Sequence, residues 1–219
     1  MIKIPKYLIP IILVVVIILV GTYYLLSKNP KNTAIPLPEI FPTPTSSLFS
    51  LVNAPSESLR GEISTMSGQI LWQSRIATQE AVIVNPQQIQ QGEKLETGKD
   101  SSLTLDFPNA ARVNFLDNTA IDIIQTLPSN IVFSQEKGSA EYLNMGNSVV
   151  SIRALSLLVQ DGGDIIISID PLKPIVTLKV KSGTAIVAYN SLSFVSHEFT
   201  IESGKTYIFN DSTRKGILR

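Results

Sequence analysis

In Ser101–Phe107 the apolar side chains fall on Leu103, Leu105 and Phe107, and in Ala111–Phe115 they fall on Ala111, Val113 and Phe115. A period of two turns one apolar face inward and one polar face outward, which is the pattern of a half-buried strand. The stretch Gly92–Ile123 around these segments repeats this pattern with Gly and Ser at the breaks. It constrains the fold more than any other part of the chain, because a period-two pattern cannot settle as a helix.

The same grammar runs from about Leu59 to the end of the chain. Apolar clusters are short, β-branched and bounded by turn residues, and none holds a 3.6-residue period. Strands are expected near Ile63–Thr65, Gln69–Gln73, Ala81–Val84, Ser102–Phe107, Arg112–Phe115, Ala120–Ile124, Ile131–Ser134, Ser139–Leu143, Ser148–Arg153, Leu157–Val159, Asp164–Ile169, Ile175–Val180, Ala185–Tyr189, Glu198–Ile201 and Thr206–Phe209. A short helix is considered at Pro86–Gln91. Leu157–Gln160 and Ile165–Ser168 flank Asp161-Gly162-Gly163-Asp164 and read as a hairpin, since glycine accepts the positive φ of a tight turn.

Two Gly-led strands, Gly68–Trp72 and Gly183–Val187, are each followed by an excursion and a second glycine, Gly92 or Gly204, entering another strand. Such an echo suits a rolled sheet in which each turn stacks on the last, and a sandwich would produce a similar pattern. The expectation is an all-β, twisted β-roll or solenoid-like domain of many short strands over residues 61–212.

The amino-terminal part has a different character. Tyr7–Leu26 carries no charge, and about 20 apolar residues in a helix span the ~30 Å hydrocarbon core of a bilayer. Tyr7, Tyr23 and Tyr24 sit near its ends and Lys6 and Lys28 close it off. No small-x-small pair follows the apolar run, so residues 7–26 read as an uncleaved signal anchor and not as a cleaved signal peptide. Residues 1–6 are too few to fold, which puts the domain on the far side of the membrane with the amino terminus inside. Residues 27–60 contain Pro30, Pro36, Pro38, Pro42, Pro44 and Pro55 among Ser and Thr. Proline removes backbone donors and fixes φ, so this segment reads as an extended, semi-rigid stalk.

Composition narrows the function. The chain has 18 basic and 18 acidic residues and no cysteine. Zero net charge argues against nucleic acid as a partner, and the lack of cysteine removes disulfides, thiolate metal sites and cysteine nucleophiles. Only five basic residues (Lys3, Lys6, Lys28, Lys31, Arg60) and two acidic ones (Glu39, Glu57) precede residue 61, so the folded part is mildly acidic. His197 is the single histidine, which excludes a His–His metal pair and makes any Ser-His-acid triad depend on it.

Asp161, Asp164 and Asp170 around the glycine pair resemble a cation cage only superficially, since hairpin turns use the same residues. The pairs Glu93 with Glu96 and Asp117 with Asp122 are assigned to solvated turns, Trp72 to the core, and Arg214, Lys215 and Arg219 to a solvated basic tail at residues 213–219.

Several of these motifs together resemble the FecR domain family. They are Gly68-Gln-Ile-Leu71, Ile89-x-x-Gly92-Glu-Lys-Leu-x-Thr97-Gly98-x-x-Ser101-x-Leu103-x-Leu105-x-Phe107, and Arg112-Val-Asn-Phe-Leu-Asp-Asn118-Thr-Ala-Ile-Asp-Ile123. Val176–Val187 and Phe199–Thr206 resemble the closing strands of that family. The resemblance implies an extracytoplasmic β domain. Its best-known members are transmembrane regulators that hold a sigma factor through a cytoplasmic amino-terminal domain, whereas residues 1–6 here are too short for that role.

Two turns depart from the family pattern. Pro108–Ala111 replaces an Asp-Gly-Ser turn, and Gln160–Asp164 replaces a Gly-Thr-x-Phe segment. Pro108, Asn109, Asp161, Gly162, Gly163 and Asp164 are therefore the candidate binding residues, with no catalytic residue, cofactor or metal expected. The expected function is non-enzymatic binding of a protein or cell-envelope polymer by a single-pass membrane protein. The alternatives are the sensory ectodomain of a regulator with a separate cytoplasmic partner, or, last, an enzyme acting on envelope carbohydrate.

Overall fold

A computed structural model describes Tyr23 and residues 53–219. The chain divides into two units, Met1–Leu48 and Phe49–Arg219, and the account below concerns the second. The expected tail at 1–6, the membrane span at 7–26 apart from Tyr23, and the stalk up to residue 52 lie outside the described residues. Among the described residues no helix is long and apolar enough to cross a membrane.

From residue 53 onward every regular element is a strand. In order they are β1 (Gly61–Ser67), β2 (Ile70–Gln73), β3 (Ala81–Val82), β4 (Gln88–Ile89), β5 (Lys94–Thr97), β6 (Ser102–Phe107), β7 (Ala111–Phe115), β8 (Ala120–Leu127), β9 (Asn130–Asn144), β10 (Val149–Ala154), β11 (Leu157–Asp161), β12 (Asp164–Ile169), β13 (Ile175–Ser182), β14 (Thr184–Asn190), β15 (Ser196–Glu202), β16 (Thr206–Asn210) and β17 (Lys215–Leu218).

The pairings resolve into two layers. One runs β4-β1-β6-β7-β9-β12-β13-β16-β17. The other runs β3-β2-β5-β8-β9-β10-β11-β14-β15. Strand β9 belongs to both: Asn130–Lys137 pairs with β8, and Gly138–Asn144 pairs with β7 and β12. The bend between the halves is at Gly138, whose φ is +79°, and a Cβ there would sit 2.5 Å from Thr119 Cα and overlap Asn118 O. Only glycine meets both demands, a left-handed backbone and contact with a neighbouring backbone.

Among the described residues only β9 and β10 pair in parallel; every other pairing there is antiparallel. The chain climbs the first half of β9 in the layer of β8, crosses to the layer of β7 and β12, returns along the second half, and re-enters the layer of β8 as β10 beside Asn130–Gln135. That is one turn of a roll. A solenoid would stack parallel strands throughout, so the expected solenoid-like coiling is confined to this turn and the remainder is an antiparallel two-layer arrangement.

Side chains alternate as the period of two requires, with Leu103, Leu105, Phe107, Ile165, Ile167 and Ile169 all facing one core shared by both layers. At its centre Phe133 lies 5.8 Å from Phe107 and 5.7 Å from Tyr142, ring centre to ring centre. Each fully buried aromatic or branched side chain contributes about 1.5–3 kcal/mol. The buried Tyr142 hydroxyl donates to Gln135 Oε1 at 3.0 Å, and Gln135 Nε2 donates to the carbonyls of Gly138 and Ile167. That network satisfies the polar atoms beside the β9 bend. The corners are tied in the same way: Thr97 Oγ1 accepts from Thr119 N at 3.0 Å, and Ser139 N donates to Thr119 Oγ1 at 2.9 Å.

Four local expectations change. The segments on either side of Gly162-Gly163 do not form a hairpin: β11 pairs with β10 and β14, β12 pairs with β9 and β13, and the glycines carry the chain between layers. Pro86–Gln91 is not a helix, since Gln88–Ile89 pairs with Gly61–Glu62. Ile131–Ser134 and Ser139–Leu143 are two halves of β9. Residues 213–219 are solvated but are not a tail beyond the sheet: Lys215–Leu218 pairs with Tyr207–Asn210, and Arg219 N and O both bond Thr206.

Candidate functional site

Strand directions sort the connections onto two ends of the domain. The start of β1, the β6–β7 turn, the β9–β10 connection and the β11–β12 and β13–β14 corners share one end. The β9 bend, the β12–β13 loop and the β14–β15 loop share the other.

The candidate binding residues all fall on the first end. Pro108 and Asn109 are exposed at the β6–β7 turn, where Asn109 has φ +57° and Ala110 N donates to Phe107 O at 3.0 Å. Asp161–Asp164 form the β11–β12 corner. The two groups are bridged by the connection after β9: Met145 N donates to Ala110 O at 3.0 Å, Asn144 N to Gly163 O at 2.9 Å, and Asn144 Nδ2 to Asp161 O at 3.2 Å. The glycine pair is required by close approach, because a Cβ on Gly163 would overlap Ser182 O and sit 2.9 Å from Gly183 Cα in the β13–β14 corner.

The carboxylates at this corner have opposite environments. Asp161 is 2% exposed, and its Oδ1 accepts from Gly163 N at 2.8 Å while Oδ2 has no hydrogen-bond partner. Burial pushes its carboxyl up to about 7 against the opposing bond from Gly163, and the nearby Asp164 adds to the rise. Asp164 Oδ2 lies 2.9 Å from Lys181 Nζ, which also bonds Glu141. The Lys181 ammonium, with help from Asn114 Nδ2 at 2.9 Å, holds the Glu141 carboxyl below its ordinary value. Asp170 is not part of this group. It lies beyond the other end of β12, where its Oδ1 accepts from Leu172 N and Lys173 N in a local turn. Among the described residues no cluster of metal-ligating side chains forms.

The acidic pairs have structural partners. Glu93 is buried, not solvated, and its Oε2 accepts from Gln90 N at 2.9 Å. Glu96 pairs with Lys137 and Lys94 with Glu136, both on the outer face of the second layer. Burial, with Glu136 adding to it, raises the Asp122 carboxyl. Trp72 is half-buried against the core, and its Nε1 has no hydrogen-bond partner.

Sequence reasoning passed over the β14–β15 connection. Ser191 N donates to Val195 O at 2.9 Å, Phe194 N to Ser191 O at 3.0 Å, and Val195 N to Ser191 Oγ at 3.1 Å, so the loop is tightly tied. Nevertheless it holds Leu192 68% and Phe194 90% exposed, with Phe194 at φ +61°. A bulky residue with positive φ is strained, and such strain collects where it is used. The signal was legible: three apolar residues, Leu192, Phe194 and Val195, stand in a turn whose other members are serines. Beside this loop a depression of about 390 Å³ is bordered by Ser156, Leu158, Ala188, Tyr189, Ser196 and His197, and the His197 ring stacks on Tyr189 at 5.0 Å. A second depression of about 400 Å³ at the same end includes Asp117, Ser139, Ser168 and Asp170.

No family model matches the chain, and no curated protein matches it. Among solved structures, two crystal structures of an anti-sigma factor candidate from Parabacteroides distasonis ATCC 8503 are similar, each at TM-score 0.50 and 12% identity. The match covers 57% of this chain and spans 58% of that one. The likeness is one of fold: the domain is an all-β structure of the kind found in these anti-sigma factor candidates.

Proposed function

We propose that the protein is a membrane-anchored, extracytoplasmic binding module without catalytic activity, whose FecR-like β domain engages a protein or a cell-envelope polymer. The observation that carries this reading is how the polar side chains are used. The carboxylates nearest to a catalytic arrangement are committed to neighbours within the fold, Glu93 to Gln90 N, Glu96 to Lys137, and Asp164 and Glu141 to Lys181. The groups left open to a partner are turns, a strained apolar loop and strand edges, which suit recognition.

A second reading has its own support. Likeness to anti-sigma factor candidates favours the sensory ectodomain of a transmembrane regulator, acting through a separate cytoplasmic chain joined by the membrane helix.

The test mixes the full chain in detergent micelles with cell-envelope fractions. The expected result is retention on the envelope without release of soluble fragments. Turnover of envelope carbohydrate that a single Asp or Glu substitution abolishes would establish the enzyme reading instead. Cross-linking in cells through Gly21–Leu25 separates the second reading: a cytoplasmic-domain protein captured there supports it, and a chain without any membrane partner removes it.

A further inference from the structure

A sheet edge exposes a row of unpaired backbone groups, and folded proteins guard such edges by shortness, charged side chains (lysine above all), proline or a bulge. Of the edges among the described residues, β3 and β4 are two residues each, and β17 is four residues opening on Lys215. Strand β15 is different. It is seven residues long, pairs only with β14, contains no Pro, Lys or Arg, and leaves Ser196, His197, Glu198, Thr200 and Glu202 exposed. The bond from Ser191 N to Val195 O closes its hairpin. In an antiparallel ladder that bond sets the alternation, so the N–H groups of Ser196, Glu198, Thr200 and Glu202 point away from β14.

We infer that β15 is the docking edge of this module, and that its occupant is an extended basic segment of a partner protein that adds as a strand. The inference rests on the binding-module reading and names the surface and the partner chemistry for it. Glu198 and Glu202 stand on one face of the edge without an ion pair among the described residues, so Lys or Arg at alternate positions of the incoming strand complements them. The loop that opens the edge presents Leu192 and Phe194 in a tied conformation, an apolar anchor that loses little freedom on binding. Added-strand recognition works in this way, with affinity from backbone bonds and selectivity from alternate side chains. A second copy of the chain is a poorer fit, because its basic edge, β17, covers only about half the length of β15.

The probe is a fluorescent synthetic peptide that alternates Lys with Val and ends in Phe, titrated against the full chain in micelles, with an alternating Glu–Val peptide as control. The Lys–Val peptide is expected to bind at least about tenfold more tightly than the control. Thr200→Pro removes one outward donor and is expected to weaken it about tenfold without moving the thermal midpoint by more than a few degrees. The double variant Glu198→Lys/Glu202→Lys is expected to reverse the preference between the peptides, and it decides the matter if Thr200→Pro fails to fold. Equal binding of both peptides, no effect of the charge reversal, or a self-associated chain that Thr200→Pro dissociates would each overturn the inference. Envelope retention is read on the same variants. Retention that survives every edge variant leaves the binding-module reading standing and removes β15 from it, whereas loss of retention by the unaltered chain removes the binding-module reading.

Discussion

Gly138→Ala is expected to lower the stability of the β domain by about 3 kcal/mol, and Gly204→Ala by only about 1 kcal/mol. The two glycines have nearly the same backbone, φ +79° and +81°, so the strain of placing an L-residue there is shared. They differ in their surroundings. A Cβ at Gly204 meets nothing within 4 Å, while at Gly138 it meets the backbone of Asn118 and Thr119, which cannot rotate aside. The difference measures how tightly the β9 bend is seated against the start of β8. Thermal unfolding of the full chain followed by circular dichroism should show a midpoint lowered by roughly 10 °C for Gly138→Ala and roughly 3 °C for Gly204→Ala. Equal losses would mean that the bend is not packed against its neighbour.

The second large effect is pH-dependent and comes from Asp161. Its carboxyl titrates at about 7 in the folded domain and at ~3.9 in an unfolded chain. Between these values the folded state holds a proton that the unfolded state has lost, so stability falls as pH rises from about 4 to about 7 and levels off above. With about 1.4 kcal/mol for each pH unit of separation, the full fall is at most about 4 kcal/mol. Asp161→Asn keeps an acceptor for Gly163 N and puts a neutral donor where Oδ2 has no partner. Urea midpoints measured from pH 4 to 7.5 should slope downward for the unaltered chain and run flatter for Asp161→Asn, with the variant more stable at pH 7. Parallel profiles would show that Asp161 titrates normally.

What the sequence conveyed depends on which contacts are local. The alternation in Ser102–Phe107 and Asp164–Ile169 is complete within each segment, and both strands begin and end where the pattern does. Gly162-Gly163 was ambiguous, because two glycines serve a tight hairpin and a crossing between layers equally well. The choice is made by the Ser182–Thr184 backbone, about 20 residues away in the chain, against which the glycines pack. Gly138 misled in a related way. It ends the apolar alternation as a turn glycine would, yet the strand continues through it into the other layer. Gln88–Ile89 is too short to carry any period, and its pairing with β1 is a tertiary event.

In the sequence, the candidate residues at 108–109 and 161–164 stand in separate turns. That both flank Asn144–Met145 follows only from the return path of β9. The apolar loop at Leu192–Val195 is visible without any structure, but its tied conformation and the long open edge that follows it are not.

The proposed binding function requires a domain held outside the cell membrane by the amino-terminal segment. Protease added to intact cells tests this most directly. The prediction is cleavage in the proline-rich segment near Pro42, releasing a resistant fragment that carries the β domain, before any cytoplasmic protein is cut. A chain that survives in intact cells and is cleaved near Pro42 only after lysis would contradict the topology and the binding function built on it.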